Sequence, residues 1–442
     1  MLGRKFLLCF NRTSYFQRSL TTARNVYFTN DDIVVAEKVK QHSKTPENIS
    51  VSTAVRDYLK DVGLEYFMDS IPKKLLRKQC SSTSKLCLFD PKTAKELALM
   101  ISEDLMQNTS FVIECNPGLG LLTQELLKIG VPSIHLYEKY EKFYSPQSPL
   151  GKLIAEHNNR LDLRKLNFFD AWMILLLDKH TGDDISDTYL TDIPYHEWEN
   201  EPCAQIIAFC PSRNFLSLLI HNFFQQTKLY EHGRVTFFLI LPSKIWERVK
   251  VCNTDDKKLQ RYYNQQSIFL HLFFEFKCLG EVPRKAFAPW PEKKLINNIH
   301  SIDIPMQVIK LEPKSNTFDL ISKDDLKAFW FFLKYCMRSK KIKIISEMEN
   351  WIPGCGPKLI ALDLDICTKF KDLSPTQLFE LYKCFRTWPE YDENYFIPST
   401  GYVDDIKKDD DEKIELEEPE PENVIKDNIQ DNSSTMRYSS VV

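Results

Sequence analysis

Between residues 86 and 315 the chain alternates short apolar runs with longer stretches of helical periodicity. The apolar runs lie at 111–114, 134–138, 161–166, 205–209 and 235–241, and they are typical of buried strands. Strands that alternate with helices form parallel β–α–β units, because the connection between two parallel strands has to cross the face of the sheet. The sequence therefore predicts a doubly wound α/β sheet.

The segments on either side of this region have different compositions. Residues 31–85 form a polar N-terminal extension, and residues 178–202 are an acidic, aromatic, turn-rich stretch that we expect to be an insertion. From 316 to 403 the apolar residues recur at helical spacing. Helix-start signals precede two of these stretches, at Ser322 with Asp325 and at Ser374 with Gln377. We therefore predict a smaller C-terminal helical domain.

The two ends of the chain carry opposite charge. Residues 1–30 contain four arginines and one lysine and no acid, which is typical of a mitochondrial presequence. Residues 404–442 have a net charge of −8 and almost no aromatic residues, so we expect a disordered acidic tail. The alternative for the first segment is a plain basic N-terminus. The favoured interpretation places the protein in the mitochondrial matrix.

Cysteine spacing and hydropathy indicate whether the chain contains a metal site or a membrane span. The twelve cysteines include no C-x-x-C pair and no spacing of Cys and His that suits zinc, so we expect no metal site. No run approaches the roughly 20 apolar residues of a membrane span. We expect a monomer without a membrane span.

The most informative segment follows the first predicted strand. That strand ends at Glu114, a turn contains Gly118 and Gly120, and a helix begins near Thr123. Glycines let the backbone approach a ligand where a Cβ would collide. A second strand ends at Glu138, where a carboxylate is placed to accept hydrogen bonds from a ribose. This pattern predicts a site for a nucleoside cofactor.

Other nucleotide sites fit the segment less well. Thr123 stands where the dinucleotide fingerprint has its third glycine, and the lysine of a P-loop is absent. The form E-x-x-P-G-x-G suits S-adenosylmethionine, which has no pyrophosphate to place at a helix N-terminus. A strand–turn–helix corner without any ligand is the simpler alternative, and Glu138 counts against it.

The segment resembles the first motif of the ribosomal RNA adenine dimethylases, and the resemblance covers most of residues 86–390. Leu88 and Asp90 match the residues before the first core helix of that family, although Cys87 replaces its phenylalanine. Two further matching groups are Val282, Pro283, Phe287 and Pro289, and the stretch 387–391. The resemblance implies a Rossmann-like methyltransferase domain over 86–315 that binds S-adenosylmethionine. Asn167 occupies the position that contacts the cofactor adenine, which is usually Asp.

The catalytic motif of the family is eroded. Active members end their fourth strand in Asn-Leu-Pro-Tyr, which supplies carbonyl acceptors for the adenine amine and a ring that stacks on the flipped base. Here Phe209 and Ser212 replace the amide and the ring, Cys210 stands between, and Pro211 is kept. We therefore expect weak or lost methylation and assign no catalytic residue, although cofactor binding is less affected.

With this altered motif the chain resembles a mitochondrial branch of the family whose members act in transcription. This resemblance implies a partner of the mitochondrial RNA polymerase that helps to melt promoter DNA. A basic run of Arg338, Lys340, Lys341 and Lys343 is the predicted phosphate contact. A second cluster at 73–78 is either a phosphate contact or a solvated helix face, and both interpretations stay open. A looser group of Arg284, Lys285, Lys293 and Lys294 is assigned no role.

Three functions remain open from the sequence. The first is a transcription factor on a methyltransferase scaffold that binds promoter DNA. The second is a working rRNA adenine N6-dimethyltransferase of the mitochondrial small subunit. The third is a structural subunit of a mitochondrial ribonucleoprotein, without a cofactor.

Overall fold

The computed structural model describes residues 53–76, 86–168, 190, 192–209, 213–252, 260, 262–290 and 303–391. All of them belong to one compact unit that begins at Ser52. Several predictions lie outside the described residues: the presequence, the acidic tail, most of the insertion, and Cys210, Pro211 and Ser212 of the eroded motif.

Nine strands and fourteen α-helices make up the described part of the chain. The strands are β1 Cys87–Leu88, β2 Val112–Cys115, β3 Ile134–Tyr137, β4 Leu161–Arg164, β5 Ala204–Phe209, β6 Val235–Pro242, β7 Phe274–Val282, β8 Phe287–Ala288 and β9 Met306–Pro313. The helices are α1 Thr53–Asp61, α2 Pro91–Leu105, α3 Leu121–Lys128, α4 Glu141–Tyr144, α5 Pro149–Glu156, α6 Arg213–Gln225, α7 Lys228–Glu231, α8 Ser243–Val249, α9 Gln265–Phe273, α10 Thr317–Leu320, α11 Lys323–Cys336, α12 Ile344–Trp351, α13 Gly356–Ile360 and α14 Pro375–Arg386. Short 3-10 turns include Glu65–Ser70, Lys73–Leu76 and Arg284–Ala286.

Seven of the strands form one sheet in the order β4-β3-β2-β5-β6-β9-β7. The first five are parallel, which confirms the predicted α/β sheet and all five predicted strands to within two residues. Successive strands run outward in both directions from the neighbours β2 and β5, so the order reverses between them. In sheets of this kind ligands bind at the carboxyl ends of the strands where the order reverses.

Two pairings of this fold were not predicted from the sequence. Strand β9 inserts antiparallel between β6 and β7, and a bulge interrupts its pairing with β7 between Cys278 and Gly280. Strands β1 and β8 form a separate two-stranded ribbon, with Cys87 opposite Ala288 and Leu88 opposite Phe287. This ribbon joins two segments that the sequence presents nearly 200 positions apart.

Side-chain caps start the helices at the predicted positions. The Ser322 hydroxyl accepts from the backbone N–H of Asp325 at the start of α11. Ser374 and Gln377 form a complete capping box at the start of α14. Asp90 caps α2, because its carboxylate accepts from the backbone N–H of Lys92.

One apolar core joins the sheet to the C-terminal helices. The ring of Phe273, at the end of α9, lies 5.8 Å from the ring of Phe329 in α11 and 5.8 Å from Phe379 in α14. The end of the predicted insertion also belongs to this core, because Trp198 is buried and its indole N–H donates to the carbonyl of Lys314. The stretch 178–202 stays a predicted insertion, and its described end contributes to the core.

Candidate functional site

The loop between β2 and α3, here called the cofactor loop, contains the two glycines that are predicted to lie at the cofactor. Gly118 and Gly120 have φ values of +60° and +77°, which side chains other than glycine rarely adopt. A Cβ at Gly120 would lie 2.9 Å from Cδ1 of Leu150, and one at Gly118 would lie 3.4 Å from Cβ of Cys87. Backbone conformation therefore favours glycine at both positions, and packing against Leu150 adds a reason at Gly120 that the sequence pattern did not reveal.

Glu138 ties this loop to the next strand. Its Oε2 accepts from the backbone N–H of Gly118 at 3.1 Å, and its Oε1 accepts from the backbone N–H of Tyr140 at 2.9 Å. The side chain is fully buried. Each carboxylate oxygen has a second lone pair, so the same group retains the capacity to accept from a ribose hydroxyl. The predicted ribose contact stays a prediction.

Glu114 and Asn116 bring two polar atoms into the same loop without a described partner. The hydroxyl of Thr123 donates to Oε2 of Glu114 at 2.7 Å, whereas Oε1 is buried without a hydrogen-bond partner among the described residues. Burial, together with the nearby charge of Glu138, raises the pKa of Glu114 to about 8. The sequence did not single out Asn116, which has a positive φ and a buried Nδ2 without a described acceptor. Buried polar atoms of this kind indicate a place for a polar ligand.

Asn167 lies near this site at the carboxyl edge of the sheet. It follows β4 and is buried, and its neighbour Phe168 packs edge-on against Tyr137 at the end of β3, with ring centroids 5.0 Å apart. β3 in turn is the strand that precedes Glu138. The structure thus places all five predicted cofactor residues in or directly after β2, β3 and β4, which are neighbours in the sheet.

The last residue of β5 is Phe209, at the position of the amide in the predicted catalytic motif. Phe209 is buried, and its ring lies 5.2 Å from the ring of Phe287 in the β1–β8 ribbon. This aromatic pair fixes the ribbon against the sheet. A phenyl ring has no hydrogen-bond acceptor, so this side chain cannot hold an amine.

Arg284 stabilises the same ribbon through hydrogen bonds to its backbone. Its guanidinium is buried and donates to the backbone carbonyls of Phe287 and Pro289. Burial lowers the pKa of Arg284 to about 10. This residue was assigned no role from the sequence, although its two acceptors are backbone carbonyls only three and five residues further along the chain.

The basic run after α11 forms an exposed loop, here called the basic loop: Arg338, Lys340, Lys341 and Lys343. Arg338 differs from the three lysines, because its guanidinium pairs with Glu347 at 2.8 Å. An isolated antiparallel β-bridge pairs Lys343 with Lys369, and so places beside the loop a further lysine that the sequence did not indicate. A surface depression of about 340 Å³ beside the loop is lined by Lys341, Lys343 and Ser346, among others.

Residues 88–387 match the sequence pattern of the family described as Ribosomal RNA adenine dimethylase. The chain belongs to this family. Its sheet is the Rossmann-like sheet of an S-adenosylmethionine-dependent methyltransferase, and the identified loop between β2 and α3 lies where the strand order of that sheet reverses. The predicted fold is confirmed.

Relatives within the dimethylase family come from animals and bacteria. A Drosophila melanogaster protein named "Dimethyladenosine transferase 2, mitochondrial" is 26% identical over 380 residues, covering 75% of this chain and 82% of the relative. The human protein of the same name is 22% identical, with coverage of 61% and 69%. The Mycoplasma pneumoniae "Ribosomal RNA small subunit methyltransferase A" is 25% identical, with coverage of 62% and 84%. A solved dimethyladenosine transferase from Plasmodium falciparum has a TM-score of 0.45 and 18% identity, covering 68% of this chain and 97% of that one.

Two further searches of the described residues concern metals and membranes. No group of three or more His, Cys, Asp or Glu side chains there is arranged to hold a metal ion. None of the helices within the described ranges is long and apolar enough to cross a bilayer.

Proposed function

We propose that this member of the dimethylase family is a mitochondrial transcription initiation factor, which assists the mitochondrial RNA polymerase in melting promoter DNA. The observation that carries the proposal is the burial of Phe209 against Phe287 at the end of β5. A dimethylase has to orient the adenine amine with carbonyl acceptors, because its nitrogen lone pair is delocalised into the ring. A buried phenyl ring supplies no such acceptor.

The cofactor site is proposed to survive this loss. S-adenosylmethionine would be held by the loop of Gly118 and Gly120, with Glu138 facing its ribose and Asn167 facing its adenine; when bound, it supplies an electrophilic methyl group. The buried Oε1 of Glu114 and Nδ2 of Asn116 support this fit, since both lack a described hydrogen-bond partner beside the glycines. Glu114 and Thr123 would keep the loop in shape for it.

An rRNA adenine N6-dimethyltransferase is the second candidate. The proposed S-adenosylmethionine site favours it, because Glu114 and Asn116 leave buried polar atoms without a described partner beside the loop of Gly118 and Gly120. The names of the fly, human and Mycoplasma relatives support the same activity. The phenyl ring of Phe209 at the end of β5 counts against it.

Location and partners follow from the relatives and from the ends of the chain. Relatives named mitochondrial and the basic, acid-free residues 1–30 support import into mitochondria. We place the protein in the matrix, at the nucleoid, as a monomer. Promoter DNA, or rRNA for the second candidate, would contact the basic loop.

Two assays on the full chain decide between the candidates. Run-off transcription by the cognate mitochondrial polymerase should depend on this protein, and a transcript level unchanged by its addition would contradict the proposal. A methylation assay on the small-subunit rRNA hairpin should give little N6-dimethyladenosine. Robust product that disappears in Gly118→Arg would favour the second candidate. Absence of S-adenosylmethionine binding, with no effect on transcription, would leave a structural ribonucleoprotein subunit.

A further inference from the structure

A group of lysines lies at the carboxyl edge of the sheet, on segments that are far apart in the sequence. We call it the lysine patch: Lys73, Lys74, Lys139, Lys142 and Lys165. The first two belong to the 3-10 turn Lys73–Leu76, the next two surround the start of α4 after β3, and the last follows β4. All are exposed except Lys74, which is half-buried.

Two tyrosines join these segments into one surface. The Lys74 ammonium lies 5.8 Å from the ring centroid of Tyr140, and the Lys165 ammonium lies 5.6 Å from that of Tyr144. Tyr140 and Tyr144 are one helical turn apart, at the two ends of α4. The patch therefore alternates positive charge with aromatic rings over three chain segments. Proteins commonly bind single-stranded nucleic acid with such a combination, in which lysines contact the phosphates and aromatic rings stack on the bases.

The patch is connected to the cofactor loop by a hydrogen-bonded path. Tyr140 donates its backbone N–H to Glu138, and the same carboxylate accepts from Gly118. A strand of nucleic acid on the patch would thus lie beside the place where the cofactor binds. Ligands of parallel sheets collect at this edge.

The acids near the patch are few in comparison. Glu138 is turned inward and fully buried, whereas Glu141 is exposed within α4. The neighbouring turn Glu65–Ser70 contributes Glu65 and Asp69, which are exposed. Among the described residues of this surface, the five lysines exceed these three exposed acids.

We propose that the lysine patch binds the phosphate backbone of a single-stranded nucleic acid, with Tyr144 stacking on one of its bases. This inference rests on the proposed nucleic-acid function and adds a second contact face to the basic loop. One strand would then be held at two places on the protein, beside the cofactor loop and at the C-terminal helices. The base would stack on the ring face of Tyr144, over which the Lys165 ammonium lies in the absence of the strand.

The test uses the full chain and fluorescently labelled single strands of RNA and of DNA with one sequence. The variant Lys73→Gln/Lys142→Gln/Lys165→Gln removes three exposed charges. At physiological salt it should bind both strands roughly 10- to 50-fold more weakly, and the slope of log affinity against log salt should fall by about 2. Tyr144→Leu should weaken single-strand binding roughly tenfold and leave the salt slope unchanged.

The matched control is Lys95→Gln/Lys128→Gln/Lys277→Gln, which removes three charges from α2, α3 and β7. Because α3 runs back from the carboxyl edge, Lys128 and its neighbour Lys95 lie toward the opposite edge of the sheet. This control should keep wild-type affinity and slope.

The outcomes separate the two proposals. If the patch variant binds like the wild type while neutralising the basic loop weakens binding, the patch proposal is overturned and the proposed function stands. If the wild-type protein binds neither single strand, both fail. Equal weakening by the patch and control variants would also overturn the patch proposal, because it would reflect net charge alone. A patch variant weakened for RNA but not for DNA supports the patch and assigns it to RNA.

Discussion

Glu138 accepts a hydrogen bond from the backbone N–H of Gly118 at 3.1 Å, and it thereby fixes the loop after β2 from the end of β3. The same carboxylate holds the N–H of Tyr140. One side chain at the carboxyl edge of the sheet therefore positions both the cofactor loop and the start of α4.

Replacing this carboxylate should loosen both segments. In Glu138→Gln one of the two backbone N–H groups faces an amide donor, so unfolding should become easier by about 1–3 kcal/mol. Affinity for S-adenosylmethionine should fall as well, which titration calorimetry measures. Glu141→Gln is the control, since that side chain is exposed and three residues away. Unchanged stability and affinity in Glu138→Gln would contradict the assigned role.

Glu114 should make stability depend on pH. Burial raises its pKa to about 8 from the ordinary 4.5, so the folded protein retains a proton that the unfolded chain releases. The contribution of this group is fully present below about pH 4.5 and is lost as the pH rises toward 8. The thermal midpoint should fall over this window, and Glu114→Gln should flatten the fall. An identical pH profile in the exposed control Glu103→Gln and in Glu114→Gln would refute it.

Comparing Gly120 with Gly63 separates the cost of backbone strain from the cost of a steric collision. Gly120→Ala adds a Cβ at φ +77° and 2.9 Å from Leu150, whereas Gly63→Ala adds one at φ +76° with no atom within 4 Å. Gly63→Ala should cost roughly 1–2 kcal/mol from backbone strain alone. Gly120→Ala should cost more and should weaken cofactor binding. Equal losses, from chemical denaturation of both variants, would mean that Leu150 moves aside.

The basic loop should contribute to nucleic-acid binding mainly through its lysines. Lys340→Gln/Lys341→Gln/Lys343→Gln should lower the log–log salt slope for a single strand by about 2. Arg338→Gln should change it less, because Arg338 already pairs with Glu347. Anisotropy of a labelled bubble template at several salt concentrations measures both. A triple variant that folds and keeps the wild-type slope would remove this loop from the binding surface.

Import into mitochondria should depend on residues 1–30. These residues carry five bases and no acid, and presequences are recognised by that charge. A fusion that lacks them should stay in the cytosol, as imaging or fractionation would reveal. Normal import of the truncated protein would contradict the presequence.

Patterns that are local in sequence predicted their structures well. The five parallel strands came from apolar runs, and the starts of α11 and α14 came from Ser322 and Ser374, whose capping bonds span three residues. The cofactor loop was recognised for the same reason. Gly120, however, is also required by its contact with Leu150, which the sequence does not mark as a neighbour.

Features that depend on distant pairing were missed. Strand β9 and the β1–β8 ribbon both need a partner strand that only the folded chain brings close. Trp198 lies in the predicted insertion among acidic residues and turn formers, and the sequence pattern did not indicate that its indole is buried in the core. The lysine patch combines three segments, of which only the cluster at 73–78 stands out in the sequence.

The position of β9 has a consequence for how this chain emerges from the ribosome. Strand β7 is synthesised before β9 but is separated from β6 by it in the sheet, so β7 cannot take its place until β9 has been made. Until then β6 presents an open, apolar edge to the surrounding solution. Such an edge pairs readily with other chains. A nascent chain that stalls between residues 282 and 306 should therefore be the species most dependent on chaperones.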